Sequence, residues 1–547
     1  MLMNGIVSHR QTPSRSQARE PKGCSTGAIG DDYYKRLAEG HVMLLPLVLF
    51  VGSCGNPFQE YCAEPPPAAD LPTNLDSLGA DLRHADPARQ MAAANAIATR
   101  GKAGAPYAGE LTRLLDGPSL ERQSRMHVIR PTPSLAAMNA LLAIGAEAKD
   151  ALAKALESDS AAVRLNAAYV LIHMGADQNT ALLGTAATDA DPAVRALVIE
   201  SFRLIATPSV LAWRLAALQD ADDRVRLSAA RGFGYLVNPP AELRCGKPAP
   251  ETPDNATLAA VVKKLEIVLR DDASPAIRAT AAASLGRMQF SNAVEPLIKA
   301  LGDTSGEVRT EVAKALGLLA DRRACTPLLT LLPDRDPVVV RAAVSALGGI
   351  GDSLATKSLL PLLAPDQHAD HRADSLQVVT ANALGRIGDR RSVPALVAVL
   401  EKSSPHGRAA IAAALGRIGE RSAADVLLPL LRLEDPAHEP VVLAAAEALG
   451  RLGEPRAIEP LADLLMNDRV RHKKMMGVAL ARISHPRVIT AVADRLAASE
   501  PTPHRPYGHD AACLLEELTG RSFRSDQAGL RAWWADNRQR YVDAAAE

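Results

Sequence analysis

A chain of 547 residues with 62 Lys and Arg against 62 Asp and Glu carries no formal net charge. That balance excludes the wide basic face on which a nucleic-acid-binding protein of this size depends for its phosphate contacts. Aromatic residues make up only 3% of the chain, so its packing rests on alanine and leucine. The six cysteines (Cys24, Cys54, Cys62, Cys245, Cys325 and Cys513) show neither a CxxC or zinc pattern nor a disulfide framework.

Residues 1 to 41 are polar and irregular and are assigned no fold. Val42 to Val51 is an uncharged run of ten residues, too short to span a bilayer as a helix but of the length of a signal-peptide core, with Lys35 and Arg36 upstream. Val51-Gly52-Ser53-Cys54 resembles the lipobox of bacterial lipoproteins, which implies Cys54 as the lipidated residue and residues 1–53 as a removable leader. The leader is long for this purpose, Glu39 stands close to the apolar run and Pro46 interrupts it. Residues 54–74, with Pro65-Pro66-Pro67, have the composition of a stiff spacer. Such a leader places the rest of the chain in the cell envelope, facing the periplasm or exterior. Without it the chain is cytoplasmic.

From about residue 75 to residue 500 one period dominates. Asn382-Ala-Leu-Gly-Arg-Ile-Gly-Asp389, Ala413-Ala-Leu-Gly-Arg-Ile-Gly-Glu420 and Glu447-Ala-Leu-Gly-Arg-Leu-Gly-Glu454 are near copies. The first glycines of these and three looser versions are Gly286, Gly317, Gly348, Gly385, Gly416 and Gly450, in steps of 31, 31, 37, 31 and 34 residues. The phase runs on through Ala481 downstream and through Leu142, Ile172, Arg203 and Gly234 upstream. Repetition at this spacing means stacked supersecondary units. Within residues 405–432, Ile411, Ala414, Leu415 and Ile418 fall on one helical face. Gly419 follows as a left-handed C-cap, and Ala424, Leu427, Leu428 and Leu431 form a second helical stripe. Each unit is therefore predicted as two short helices that bury their apolar faces only by stacking. Alanine and glycine at Ala-Leu-Gly allow neighbouring helices to approach closely. Residues 117 to 133, 239 to 255 and 365 to 374 interrupt the period, and insertions in repeat stacks map to loops that often lie on a binding face.

These residues resemble the HEAT-like repeat of the phycobilisome-lyase type, most strongly over 274–484. The resemblance implies an all-α fold, an α-α superhelix of about a dozen two-helix units, with a concave face lined by the second helices. It implies no single activity, because the family holds scaffolds as well as bilin lyases, a di-iron hydroxylase and DNA-repair glycosylases.

A second ladder keeps the same phase. Arg164, Arg195, Arg226, Arg278, Arg309 and Arg408 each stand eight residues before the phase position, and Arg341 is one place off. Locked to the packing period, they are expected to bridge adjacent units by bidentate bonds to carboxylates; a grip on an anionic partner is the competing role. From residue 501 to 547 the period is lost, and Trp533 and Trp534 are expected to cap the exposed end of the stack.

Sites for chemistry are weak. His368 and His371 with Asp366, Asp370 and Asp374 form no recognised ligand spacing and read as a solvated loop. One His-Glu pair, His438-Glu439, falls short of the several that the di-iron relatives use. Arg469, Arg471, Lys473 and Lys474 are a single small basic cluster, read as a solvated helix start. No phosphate-loop, dinucleotide, nucleophile-elbow or zinc-protease motif is present. The expectation is a protein-binding scaffold without metal or cofactor, anchored to a membrane through lipid at Cys54 and binding no nucleic acid. A lyase-like or metal-dependent enzyme of the same repeat family is the alternative.

Overall fold

The computed structural model describes residues 75–117, 131–237, 239, 252–364, 375–432, 436–467, 472–499, 509–523 and 526–546. Cys54, the leader, the spacer, His368, His371, Arg469, Arg471 and most of the 239–255 insertion lie outside the described residues. The described residues form helices and turns, with no strand among them.

The first helices of successive units are α1 (Pro87–Ala98), α2 (Pro133–Ile144), α3 (Ala161–His173), α4 (Pro192–Ser201), α5 (Asp223–Phe233), α6 (Pro275–Arg287), α7 (Gly306–Leu319), α8 (Pro337–Ile350), α9 (Leu376–Ile387), α10 (Pro405–Ile418), α11 (Glu439–Leu452) and α12 (Lys473–Ile483). Each packs against the next, so one row of helices runs from α1 to α12. Local chemistry sets where they begin. Proline occupies the first turn of α4, α8 and α10, where its missing N–H costs nothing. The residue before it caps the helix: Asp191 accepts from the Ala193 N–H at 2.7 Å, and Asp336 from that of Val338 at 2.8 Å. At the other end Gly419 adopts φ +76°, in the left-handed region. The same position, three residues past the phase position, is left-handed in other units even where it is not glycine, at Gln289, Ala320 and Ser484.

The leucine just before each phase position is the packing anchor. Leu285, Leu316, Leu347, Leu384, Leu415, Leu449 and Leu480 are all fully buried, each contributing about 1.5–3 kcal/mol of hydrophobic stabilisation. The glycine fixes how near the next helix comes. A methyl at Gly416 would lie 2.5 Å from Ala448 Cα, in the Ala-Leu-Gly of the following unit, and Gly286–Ala315, Gly317–Ala346, Gly348–Ala383 and Gly385–Ala414 repeat the relation.

Second helices such as Asn255–Asp271, Ile458–Met466 and Arg487–Ala498 are continuous, as predicted, but in two units the stretch is broken. In the 405–432 unit the stripe is divided into a 3-10 turn Arg421–Ala423, a single α turn Ala424–Leu427 and a further 3-10 stretch Leu428–Arg432. Ala424, Leu427 and Leu431 are buried, while Leu428 is half-exposed. Pro429 is the reason, since it has no N–H to bond the carbonyl four residues back. Pro361 interrupts the equivalent stretch after Thr356–Leu359 in the same way.

Past α12, helix Gln527–Ala546 packs along Arg487–Ala498. Trp533 and Trp534 are buried, Trp534 Nε1–H donates to the Asp494 carboxylate at 2.8 Å, and the Trp533 ring lies 5.0 Å from that of Phe523. No helix among the described residues is long and apolar enough to cross a membrane.

Candidate interaction surface

Five of the ladder arginines are bound within the stack. Arg278 of α6 donates through Nε and Nη2 to the two Asp303 oxygens, both at 2.8 Å, and through Nη1 to the Asp272 carbonyl at 2.9 Å. Asp303 stands just before α7 and also accepts the Ser305 N–H. Arg164–Asp189, Arg195–Asp220, Arg226–Asp272 and Arg309–Asp334 repeat this geometry across the preceding and following joints. Side-chain exposure at the Arg278–Asp303 pair is 11% on both partners, so its guanidinium is spent inside the joint. Burial opposes ionisation of Asp303, but the Arg278 guanidinium and the Ser305 N–H outweigh it and hold the carboxyl below the usual range. Arg408 is placed differently and donates to the backbone carbonyls of Ser403 and Glu401.

The upstream joints depart from the Ala-Leu-Gly rule, and one of them buries a charge. Just past α4 the phase position is Arg203 in place of glycine, and α5 carries Gly232 where the units from α7 to α12 carry alanine. A methyl on Gly232 would meet Arg214 Nη2 at 2.7 Å. Arg214, from helix Pro208–Ala217, is fully buried with no hydrogen bond to Nε, Nη1 or Nη2, its guanidinium stacked 4.3 Å from the Phe233 ring centroid. Burial pulls its pKa down to about 10, against the attraction of Glu200. The helical spacing carries a local signal for this side chain, since Arg214 stands four residues after Val210 and three after Leu211, on the buried stripe that Ala217 and Leu218 continue.

The remaining candidates are scattered. His438 closes the 3-10 turn Pro436–His438 and Glu439 opens α11, with His472 Nε2 3.8 Å from Glu439. Lys473 and Lys474 begin α12. Cys325 is buried and burial pushes its thiol up, while Cys513 is half-buried. Among the described residues no three His, Cys, Asp or Glu side chains meet as a metal-ligand set. Solvent meets apolar side chains at Leu318, Val338, Leu354, Met475 and Val478. Beside the helix Asn255–Asp271, a shallow cleft is lined by Gln219, Lys264, Ile267 and Asp271.

Two-helix units in an unbroken row, joined by a repeated apolar seam, define a helical-repeat solenoid. Residues 262–348, 314–380 and 367–438 match the HEAT repeats model, and residues 441–465 match the PBS lyase HEAT-like repeat. The protein is a HEAT-repeat protein. Its fold is shared with importin beta, at TM-score 0.56 and 14% identity over 85% of this chain and 72% of that one. It is likewise similar to Kap95 in a Kap95:Nup1 complex, at TM-score 0.52 and 15% identity over 86% and 68%. The CpcE–CpcF complex of phycocyanin lyase from Nostoc sp. PCC7120 aligns at TM-score 0.32 and 22% identity, over 50% of this chain and 98% of that one. No curated protein matches the sequence.

Proposed function

We propose that this protein is a non-enzymatic, protein-binding scaffold of the bacterial cell envelope, held to a membrane by lipid at Cys54. The observation that carries the binding role is the unbroken packing of α1 to α12. It sets the second helices side by side, so that their outward residues make one long surface, taken here as the concave one. Solenoids of this build take protein partners: the Kap95 structure is a complex with Nup1. Specificity would come from exposed second-helix residues such as Lys264 and from the insertions. The envelope location rests on Val51-Gly52-Ser53-Cys54 and the apolar run before it.

Two measurements test the two halves. Fatty-acid labelling with membrane fractionation should show label and membrane association in the wild type and neither in Cys54→Ala; a soluble, unlabelled wild type refutes the anchor. A photo-crosslinking residue at Lys264 in the living cell should give discrete protein adducts. Adduct-free protein would sink the scaffold role at that surface.

A further inference from the structure

The arginine that follows the phase position makes a row that neither the packing nor the Arg–Asp ladder uses. Arg386, Arg417, Arg451 and Arg482 occupy this place on α9, α10, α11 and α12, and all four are exposed. Each guanidinium lies along the first-helix face, and three of them reach back over the helix before. Arg386 Nη2 approaches the Ser345 hydroxyl at 3.4 Å, Arg417 Nη1 donates to Asn382 Oδ1 at 3.1 Å, and Arg482 Nη1 is 3.6 Å from Glu447. Arg451 bonds the same Glu447 at 2.8 Å. Arg451 and Arg482 thus share one carboxylate, the only one in direct contact with the row among the described residues. The direct partners of Arg386 and Arg417 are polar and neutral, and Arg417 feels the Glu447 carboxylate only through its field. Partial burial holds the Arg386 guanidinium below its ordinary pKa, and the charge of Arg417 adds to this, so the two repel across the joint.

The spacing of this row selects its ligand. Packed helices stand roughly 8–10 Å apart, so the row offers about one cation per 8–10 Å in single file. A polyproline-type chain has three residues per turn and a rise of about 3.1 Å, which brings one side to the same face every ~9 Å. A flat anionic membrane or a nucleic-acid duplex meets a broad basic patch better than a single file with Glu447 inside it. We propose that the Arg386–Arg417–Arg451–Arg482 row on the first-helix face binds an extended acidic segment of a protein partner, with a carboxylate at every third residue. This rests on the scaffold role and adds to it a second surface and the chemistry of what docks there.

The test uses the full chain and a fluorescent peptide of four Glu-Pro-Pro triplets, with a peptide of the same composition whose four glutamates are contiguous as the comparison. Fluorescence anisotropy at low salt should show the triplet peptide binding at least about fivefold more tightly than the contiguous one. Arg386→Gln/Arg417→Gln should weaken the triplet peptide about tenfold, the scale of two partly exposed charge pairs. Arg390→Gln, which removes an arginine off the row that is 74% exposed, should leave binding unchanged. Equal binding of the two peptides, or an unaffected double variant, overturns the proposal. So does tighter binding of anionic lipid vesicles or of a single-stranded oligonucleotide than of the triplet peptide. Adducts at Lys264 that persist while the peptide fails to bind would leave the scaffold role standing and remove this surface alone.

Discussion

Gly416→Ala isolates the rule that spaces the stack. The new methyl would lie 2.5 Å from Ala448 Cα and 2.6 Å from its Cβ, where carbon atoms rest at about 3.5–4.0 Å. The obstruction is helix backbone on the neighbouring unit, so relief needs α10 and α11 to separate by roughly 1 Å along a seam that buries Leu415 and Leu449. Overpacking of this kind costs about 1–3 kcal/mol, against about 0.5–1 kcal/mol gained from replacing a helical glycine. The net expectation is a loss of up to about 2.5 kcal/mol. Gly477→Ala is the control: that glycine is inside α12 with nothing within 4 Å of the added methyl, and the variant should gain about 0.5–1 kcal/mol. Ala448→Gly should fail to rescue Gly416→Ala, because the nearest atom is the alanine Cα. Since repeat stability is a sum of units and nearest-neighbour joints, native-state hydrogen exchange should show the loss in α10 and α11 and leave α3 and α4 protected as before. A Gly416→Ala protein at least as stable as wild type, or one loosened evenly along its length, would refute the reasoning.

Three further outcomes follow from named residues. Ala320 holds φ +51° at the position that Gly419 fills in its unit, so Ala320→Gly should stabilise by up to about 1 kcal/mol and Gly419→Ala should destabilise by about 1–2 kcal/mol in chemical denaturation. Asp303→Asn removes a carboxylate whose folded pKa is lowered. Such a group stabilises fully above its unfolded value near 4 and loses that contribution as pH falls through the folded value, so the variant should lose about 1–3 kcal/mol at pH 7 and show a flatter acid limb below about pH 4. Arg214→Met takes an unbonded guanidinium out of the α4–α5 joint and should leave the protein as stable or stabilise it by up to about 3 kcal/mol in urea titration; a loss above 1 kcal/mol would show that the Phe233 contact outweighs the burial of charge.

The sequence alone determined the period, by repetition, and those helix starts and ends that an Asp-Pro pair or a glycine marks, because these depend on neighbours within one turn. Asp191 before Pro192 is a cap on local geometry alone, and Gly419 is left-handed for want of a Cβ whatever surrounds it. Ala-Leu-Gly marked close approach, but only the tertiary structure decided that Gly416 meets Ala448, since that contact depends on how one unit sits on the next. The ladder has the same character. Arg164–Asp189, Arg195–Asp220, Arg278–Asp303 and Arg309–Asp334 each span 25 residues, whereas Arg226 reaches Asp272 across 46 because an insertion lies between. Stacking conserves the distance in space and leaves the separation in sequence free. The burial of Arg214 and the carboxylate-poor pair Arg386 and Arg417 were likewise settled by packing: charge and burial are properties of an assembled joint, and no single unit contains one.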